Sequence, residues 1–360
     1  YENCDYVVIP HNSNLSNGYM FEEPDQDEIL IQSTKEPLVE IFQHKGSSEC
    51  NIDLNDPLCN FEQLPDKDVR SNFQNDRSSS SDSSFVREAL GKGLLSQDRQ
   101  SINPLKFGVI ASTDTHLGTP GAVDESSFQG HGGAGKSFRS SIPEGLPDDI
   151  EFNPGGLAVA WAEENSRSAI FDAFQRKEVY GTSGPRFIVR FFVGDNLDKN
   201  LCNNPDNISY AYANATPMGG TIASDSLSQP SIFISASADS SIKDQFIEKL
   251  QVVKGVVRNG ELLTTVHDVG VTNAQSKLDI ANCEVTGSGE KAMCSVWNDP
   301  NFNSSENAYY YVRVVANKSC RWSHNLCLQN PEYCEADSDA SIPKVIQERA
   351  WTSPVWLETT

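Results

Sequence analysis

The sequence predicts an α/β half followed by an all-β half, on two observations. Through about residue 185, strand-like apolar runs alternate with segments of helical spacing, and the runs end in polar residues. Beyond "TSGPR" (182–186), β-type runs follow one another between Gly, Asn, Asp and Ser, with no long helical pattern among them. The expected organisation is an α/β domain over 1–185 and an antiparallel β-sandwich over 186–360.

Taken in order, "DYVVIPHN" (5–12) reads as a short buried strand stopped by a Pro-His turn. "PLVEIFQHKG" (37–46) is a second strand, again ending in a histidine. Residues 60–84 are polar and close in "SSSSDSS", a surface loop. "FVREALGKGLL" (85–95) has helical spacing, and "FGVIASTDTH" (107–116) is a third apolar strand. "GGLAVAWAEE" (155–164) is a fourth. "SRSAIFDAFQRKEVY" (166–180) is an amphipathic helix, capped by Asn165 or Ser166, with Ile170, Phe171 and Phe174 as its apolar stripe. The later runs "FIVRFFV", "SIFISASA", "LQVVKGVV", "ELLTTVHDV", "MCSVWND", "YYYVRVVA" and "SPVWLE" are strands of the sandwich, and Trp322, Trp351 and Trp356 read as packing residues. Arg186 reads as a salt-bridge partner at the junction, and His267 and His324 lack any partner pattern.

The chain carries 28 basic against 50 acidic residues, a net charge of −22. That balance repels nucleic acid and anionic membranes, so neither is an expected partner; a small anionic substrate remains open if bound cations reverse the local sign. No run of 18 apolar residues exists, so no membrane span is expected. The opening "YENCDYVV" reads as an internal start without a signal peptide. Nine cysteines include no C-x-x-C pair and fall in near pairs, Cys50/Cys59, Cys283/Cys294 and Cys320/Cys327/Cys334; local disulfides and an oxidising compartment follow, with one cysteine odd. Five N-x-[ST] sequons, at Asn14, Asn207, Asn214, Asn303 and Asn317, agree with a secreted or extracellular glycoprotein.

"GHGGAGKS" (130–137) matches the phosphate-loop pattern at every fixed position. Its flanks do not. "VDESSFQ" before it is no buried strand, and "FRSSIPEGLPDD" after it opens no helix, so the helix dipole that such a loop needs is missing. It reads instead as a glycine-rich loop over the tip of the "STDTH" strand, from which His131 could reach a site.

That site is the chemical content of the first half. His11, His44 and His116 each sit at a predicted strand end. Asp114 and His116 are two apart, so on an extended segment they project to one side, and Glu40 with His44 offers the same donor types from the preceding strand. Imidazole with carboxylate suits zinc, manganese or iron, which acidify a bound water. The expected metal ligands are His11, Glu40, His44, Asp114 and His116, and the expected catalytic residues are Asp114, His116 and His131.

The stretches "VVIPHNSNLSNGYMF", "VEIFQHKGSSEC", "FGVIASTDTHLGTPGAV", "GGLAVAWAEENSRSAIFDAFQRKEVYGTSGPR" and "ERAWTSPVW" together resemble the domain-of-unknown-function 3604 family, from about Tyr6 to Leu357. "STDTH" and "VYGTSGPR" also resemble the polymerase and histidinol phosphatase (PHP) superfamily. That resemblance implies part of a distorted (β/α)7 barrel, metal-dependent phosphoesterase chemistry with two or three divalent ions, and Asp114 and His116 as a closing D-x-H ligand pair. The superfamily's H-x-H pair is not in this sequence, so the chain looks like the C-terminal part of the pattern. The expected function is a secreted metal-dependent hydrolase, with a retained N-terminal fragment of the same precursor as partner. The alternative is a non-catalytic extracellular glycoprotein subunit of a homo-polymer or matrix.

Overall fold

The run "LVEIFQ" forms β1 (Leu38–Gln43) in a computed structural model that describes residues 5–16, 18–22, 26–52, 54–63, 84–116, 118–128, 130, 152–273, 275–329, 331 and 343–359. A two-residue turn at His44 and Lys45 folds it back on β2 (Gly46–Ser47), and the helix Val86–Gln100 carries the chain to β3 (Gly108–Ala111). β3 lies parallel to β1, pairing Leu38 with Gly108 and Phe42 with Ala111, so the ends of "IFQH" and "IAST" meet at one edge. The remaining strands are β4 (Leu157–Ala160), β5 (Val179–Thr182), β6 (Ile188–Asp195), β7 (Ala215–Pro217), β8 (Thr221–Ala223), β9 (Pro230–Ser237), β10 (Ile247–Arg258), β11 (Glu261–Val271), β12 (Lys277–Asp279), β13 (Glu284–Thr286), β14 (Ala292–Asn298), β15 (Ala308–Cys320), β16 (Val345–Thr352) and β17 (Val355–Glu358).

The expected (β/α)7 barrel portion is corrected by this topology. Among the described residues strands outweigh helices, they fall into several sheets, and none closes on itself. A barrel needs β4 and β5 parallel about the helix Arg167–Gln175; they pair antiparallel instead, Leu157 with Thr182 and Ala160 with Val179. β5 then pairs with β16, so strands from both sides of residue 186 share one sheet, in the order β11-β10-β15-β16-β5-β4, with β17 against β15. The helix Arg167–Gln175 forms as expected, with Ser166 Oγ accepting from Ala169 N at 3.3 Å; its most buried residues are Ala169 and Ala173, with Ile170, Phe171 and Phe174 half-buried. "DYVVIPHN" forms no ladder strand. Pro10 has no N–H to give, and the segment is tied to its neighbours by Glu40 N to Pro10 O (2.9 Å) and Val8 N to Lys35 O (2.7 Å), with Tyr6 and Val8 exposed.

β15, in the middle of the large sheet, is buried on both faces, which explains why "YYYVRVVA" shows no alternation of apolar and exposed polar residues. Tyr310, Val312 and Val314 face the antiparallel sheet β14-β9-β6-β7 and pack on Val189, Phe191, Ile232 and Ile234. Tyr309, Tyr311, Trp351 and Trp356 face the other way, onto Phe42, Val109, Leu90 and Phe107 of the β1-helix-β3 unit. The sandwich is therefore present, and the parallel pair is a third layer against its back.

A charged cluster is sealed into that second interface. Glu49 accepts from Arg87 Nη2 (2.8 Å), Arg313 Nη1 (3.0 Å), Tyr311 OH (2.8 Å) and Trp351 Nε1 (2.7 Å); Asp56 takes Arg87 and Arg313, each at 3.0 Å. Burial pushes the Glu49 carboxyl up, but Arg313, Arg87 and Arg349 outweigh it and hold it at about 2. Burial, with Arg313 beside it, brings Arg349 down to about 9.

The disulfides join Cys50 to Cys59, Cys202 to Cys294 and Cys283 to Cys320, and Cys327 is disulfide-bonded as well. The expected Cys283/Cys294 pairing is corrected. Cys294 lies on β14, whose neighbour is the turn Leu201–Asn203, whereas Cys283 stands beside the end of β15. Cys4 and Cys334 lie outside the described residues. Among the described residues no helix is long and apolar enough to cross a membrane.

Candidate metal centre

Because β1 and β3 are parallel neighbours, the residues after each strand converge at their C-terminal ends. His44 occupies the turn after β1. It is fully buried, with Nδ1 at 2.9 Å from Thr113 O and its ring against Phe152 (centroids 5.5 Å apart). Asp114 stands beyond β3 with φ +50°, a left-handed conformation that aspartate tolerates better than most residues and that turns its carboxylate back toward β1. Its Oδ2 is 3.7 Å from His44 Nε2, and the His116 ring lies 5.6 Å from that of His44. One donor atom from each of His44, Asp114 and His116 falls within 4.8 Å of the others.

Glu40, on β1, completes the approach to the cluster. It is 4% exposed; Ser112 Oγ donates to Oε1, while Oε2 has no hydrogen-bond partner. Burial raises its carboxyl above the usual range, against the opposing pull of Ser112, Gln43 and His11. His11 is exposed and close enough to act on Glu40 electrostatically, placed by the Glu40 N to Pro10 O bond. An orphaned buried carboxylate oxygen next to an imidazole-carboxylate cluster fits a divalent cation: His44, Asp114 and His116 would hold it, with Glu40 beside them. His131 and the "GHGGAGKS" loop after Gly130 lie outside the described residues.

Two residues of the site carry no signal in a ligand pattern. Lys45 Nζ is in close contact with Asp114 Oδ2, and Gln43 Nε2 donates to the same oxygen at 3.0 Å while its Oε1 accepts from Lys45 N at 2.9 Å. Burial pushes Asp114 up, but the Lys45 hydrogen bond and charge prevail and hold it below the usual carboxylate range. The flanks of "QHK" could have shown this only once the turn was known to place all three at one strand end.

Elsewhere the geometry takes candidates out. The sets Cys283, Cys320, His324 and Cys50, Asp56, Cys59 bring ligand types together, but their cysteines are disulfide-bonded and offer no thiolate. His324 Nε2 lies 2.8 Å from Ile280 O, and His267 stacks on Trp297 (centroids 4.9 Å apart). Arg186 is exposed, and it is its backbone N–H that bonds Asp239 (2.7 Å). Of the sequons, Asn14 and Asn317 are buried, with their Nδ2 atoms donating to Lys45 O (3.0 Å) and Asp244 O (3.2 Å), so a glycan there would displace the packing. Asn214 and Asn303 are exposed and Asn207 half-exposed.

The chain belongs to the family described as Protein of unknown function (DUF3604), which it matches over residues 1–359. No curated protein and no solved structure matches it.

Proposed function

We propose that the chain is a secreted metal-dependent hydrolase of small phosphate esters, built around His44, Asp114 and His116. The convergence of these three donors on the end of a parallel strand pair, with the unpartnered Glu40 oxygen beside them, carries the reading. A zinc, manganese or iron ion bound there would supply Lewis acidity and a water acidified toward neutral pH, and further ions would complete the set of two or three. Around it, Thr113 O fixes the His44 ring, and Gln43 and Lys45 orient Asp114. The disulfides support an oxidising compartment.

One observation favours the second reading, a non-catalytic extracellular glycoprotein subunit. Lys45 already neutralises Asp114, as an ammonium does where a cation has been dispensed with. The test is elemental mass spectrometry on protein purified without chelator, with p-nitrophenyl phosphate hydrolysis on the same samples. At least one equivalent of zinc, manganese or iron, lost together with hydrolysis in His44→Ala and Asp114→Asn, is the expected result. Neither metal nor hydrolysis in the wild type would overturn the hydrolase and leave the subunit.

A further inference from the structure

A cavity of about 960 Å3 opens between the loop around Asp124 and Glu125, the Gly184–Arg186 turn and strands β15 and β16. Its floor holds two buried carboxylates. Glu125 is 8% exposed; its Oε2 accepts from Trp322 N, and its Oε1 has no partner. Glu348 is 4% exposed and takes the Ser183 hydroxyl on Oε2. Gly184 packs closely against the Val123 carbonyl on the Glu348 side of the cavity. A Cβ there would sit 2.9 Å from Val123 O and 3.8 Å from Glu348 Oε1, and its φ of +144° is a conformation for glycine alone. Among the described lining residues, five carboxylates, Asp124, Glu125, Asp239, Asp244 and Glu348, stand against two cations, Arg186 and Lys243. The lining cysteines Cys283 and Cys320 are joined to each other, so the donors are oxygens.

We propose that this cavity binds a hard divalent cation of calcium's size between Glu125 and Glu348, with Val123 O and water completing its oxygen shell. An all-oxygen site with room for water suits calcium, which takes six to eight such ligands, and does not suit a metal that seeks imidazole or thiolate. Two carboxylates buried side by side cannot both stay charged without a counter-ion. In its absence burial, and then their mutual repulsion, raise Glu125 well above the carboxylate range, and burial, with Glu62 and Asp124 adding to it, brings Glu348 to about 8. Arg321, which is paired with Glu62, and Arg349 oppose the shifts without cancelling them. Cation binding therefore displaces protons, and its affinity rises with pH. The site is separate from the histidine cluster and independent of the hydrolase reading.

The test is calcium titration of the full chain, after removal of bound ions with EGTA, followed by thermal unfolding and by calorimetry in two buffers of different ionisation enthalpy. Wild type and His44→Ala are expected to gain several degrees in Tm at millimolar calcium and to release one to two protons per ion. Glu125→Gln and Glu348→Gln keep volume and an acceptor oxygen for Trp322 N and the Ser183 hydroxyl, and are expected to bind calcium at least tenfold more weakly. No shift in the wild type, a full shift retained in both glutamine variants, or loss of the shift in His44→Ala would each overturn the proposal. Circular dichroism on each variant secures the comparison, and either glutamine variant that folds is enough to decide it.

Discussion

Glu49→Gln is the sharpest probe of the interface that holds the parallel pair to the sandwich. Glutamine has the shape of a protonated glutamate, so the substitution costs what protonating Glu49 costs. The carboxyl sits at about 2 in the folded protein, against an ordinary 4.5. That depression of about 2.5 units corresponds to about 3.4 kcal/mol, in line with the 3–5 kcal/mol typical of breaking a buried ion pair. The source is visible in the contacts: Arg87, Arg313 and Trp351 keep their positive hydrogens aimed at an amide that no longer carries charge. The sign follows from linkage. A folded-state pKa below the unfolded one gives stability that is complete above about pH 4.5 and is lost as pH falls through about 2. Urea unfolding of oxidised wild type and Glu49→Gln should thus differ by about 3 kcal/mol at pH 7, and the difference should shrink steadily below pH 4.5. A difference under about 1 kcal/mol, or one that does not change with pH, would refute the claim that the arginines hold Glu49 charged.

The acid pair Glu125 and Glu348 predicts the opposite trend. Glu348 is raised to about 8, so its contribution is present below about pH 4.5 and lost as pH rises through 8; without calcium, Glu348→Gln should match the wild type in stability at pH 4 and exceed it at pH 9. Among the disulfides, Cys202–Cys294 closes a separation of 92 residues and Cys50–Cys59 one of 9, which by chain entropy are worth about 4.6 and about 2.6 kcal/mol. Paired Cys→Ser replacement should therefore lower Tm more at 202/294 than at 50/59, and scanning calorimetry giving the reverse order would count against that account.

The residue types of the site were legible before any fold. Asp114 and His116 announce themselves by spacing, and Glu40 and His44 by standing at the end of an apolar run. These are local properties, and so are the β1 strand, the Val86–Gln100 helix, the Ser166 cap and most sandwich strands, which periodicity and side-chain shape mark within a dozen residues. Lys45 and Gln43 were not legible as site residues, because only the turn into β2 brings them onto Asp114. The Cys283/Cys294 expectation followed chain proximity, whereas strand order decides which sulfurs meet.

Composition and spacing alone set the acidic charge, the cysteines available for pairing, the two textures of the chain and the donor residues. Tertiary structure decided how strands pair. "LAVA" and "VYGT" read equally well as parallel barrel strands or as an antiparallel pair, since neither carries a charged residue and strand direction leaves no trace in composition. The choice came from β16, about 170 residues further on, which offers β5 an antiparallel edge and draws both strands into the sandwich. Glu125 and Glu348 likewise have no sequence relation to each other. They meet because the sheet places β16 beneath the loop that carries Glu125, and burial then gives two ordinary glutamates their chemistry.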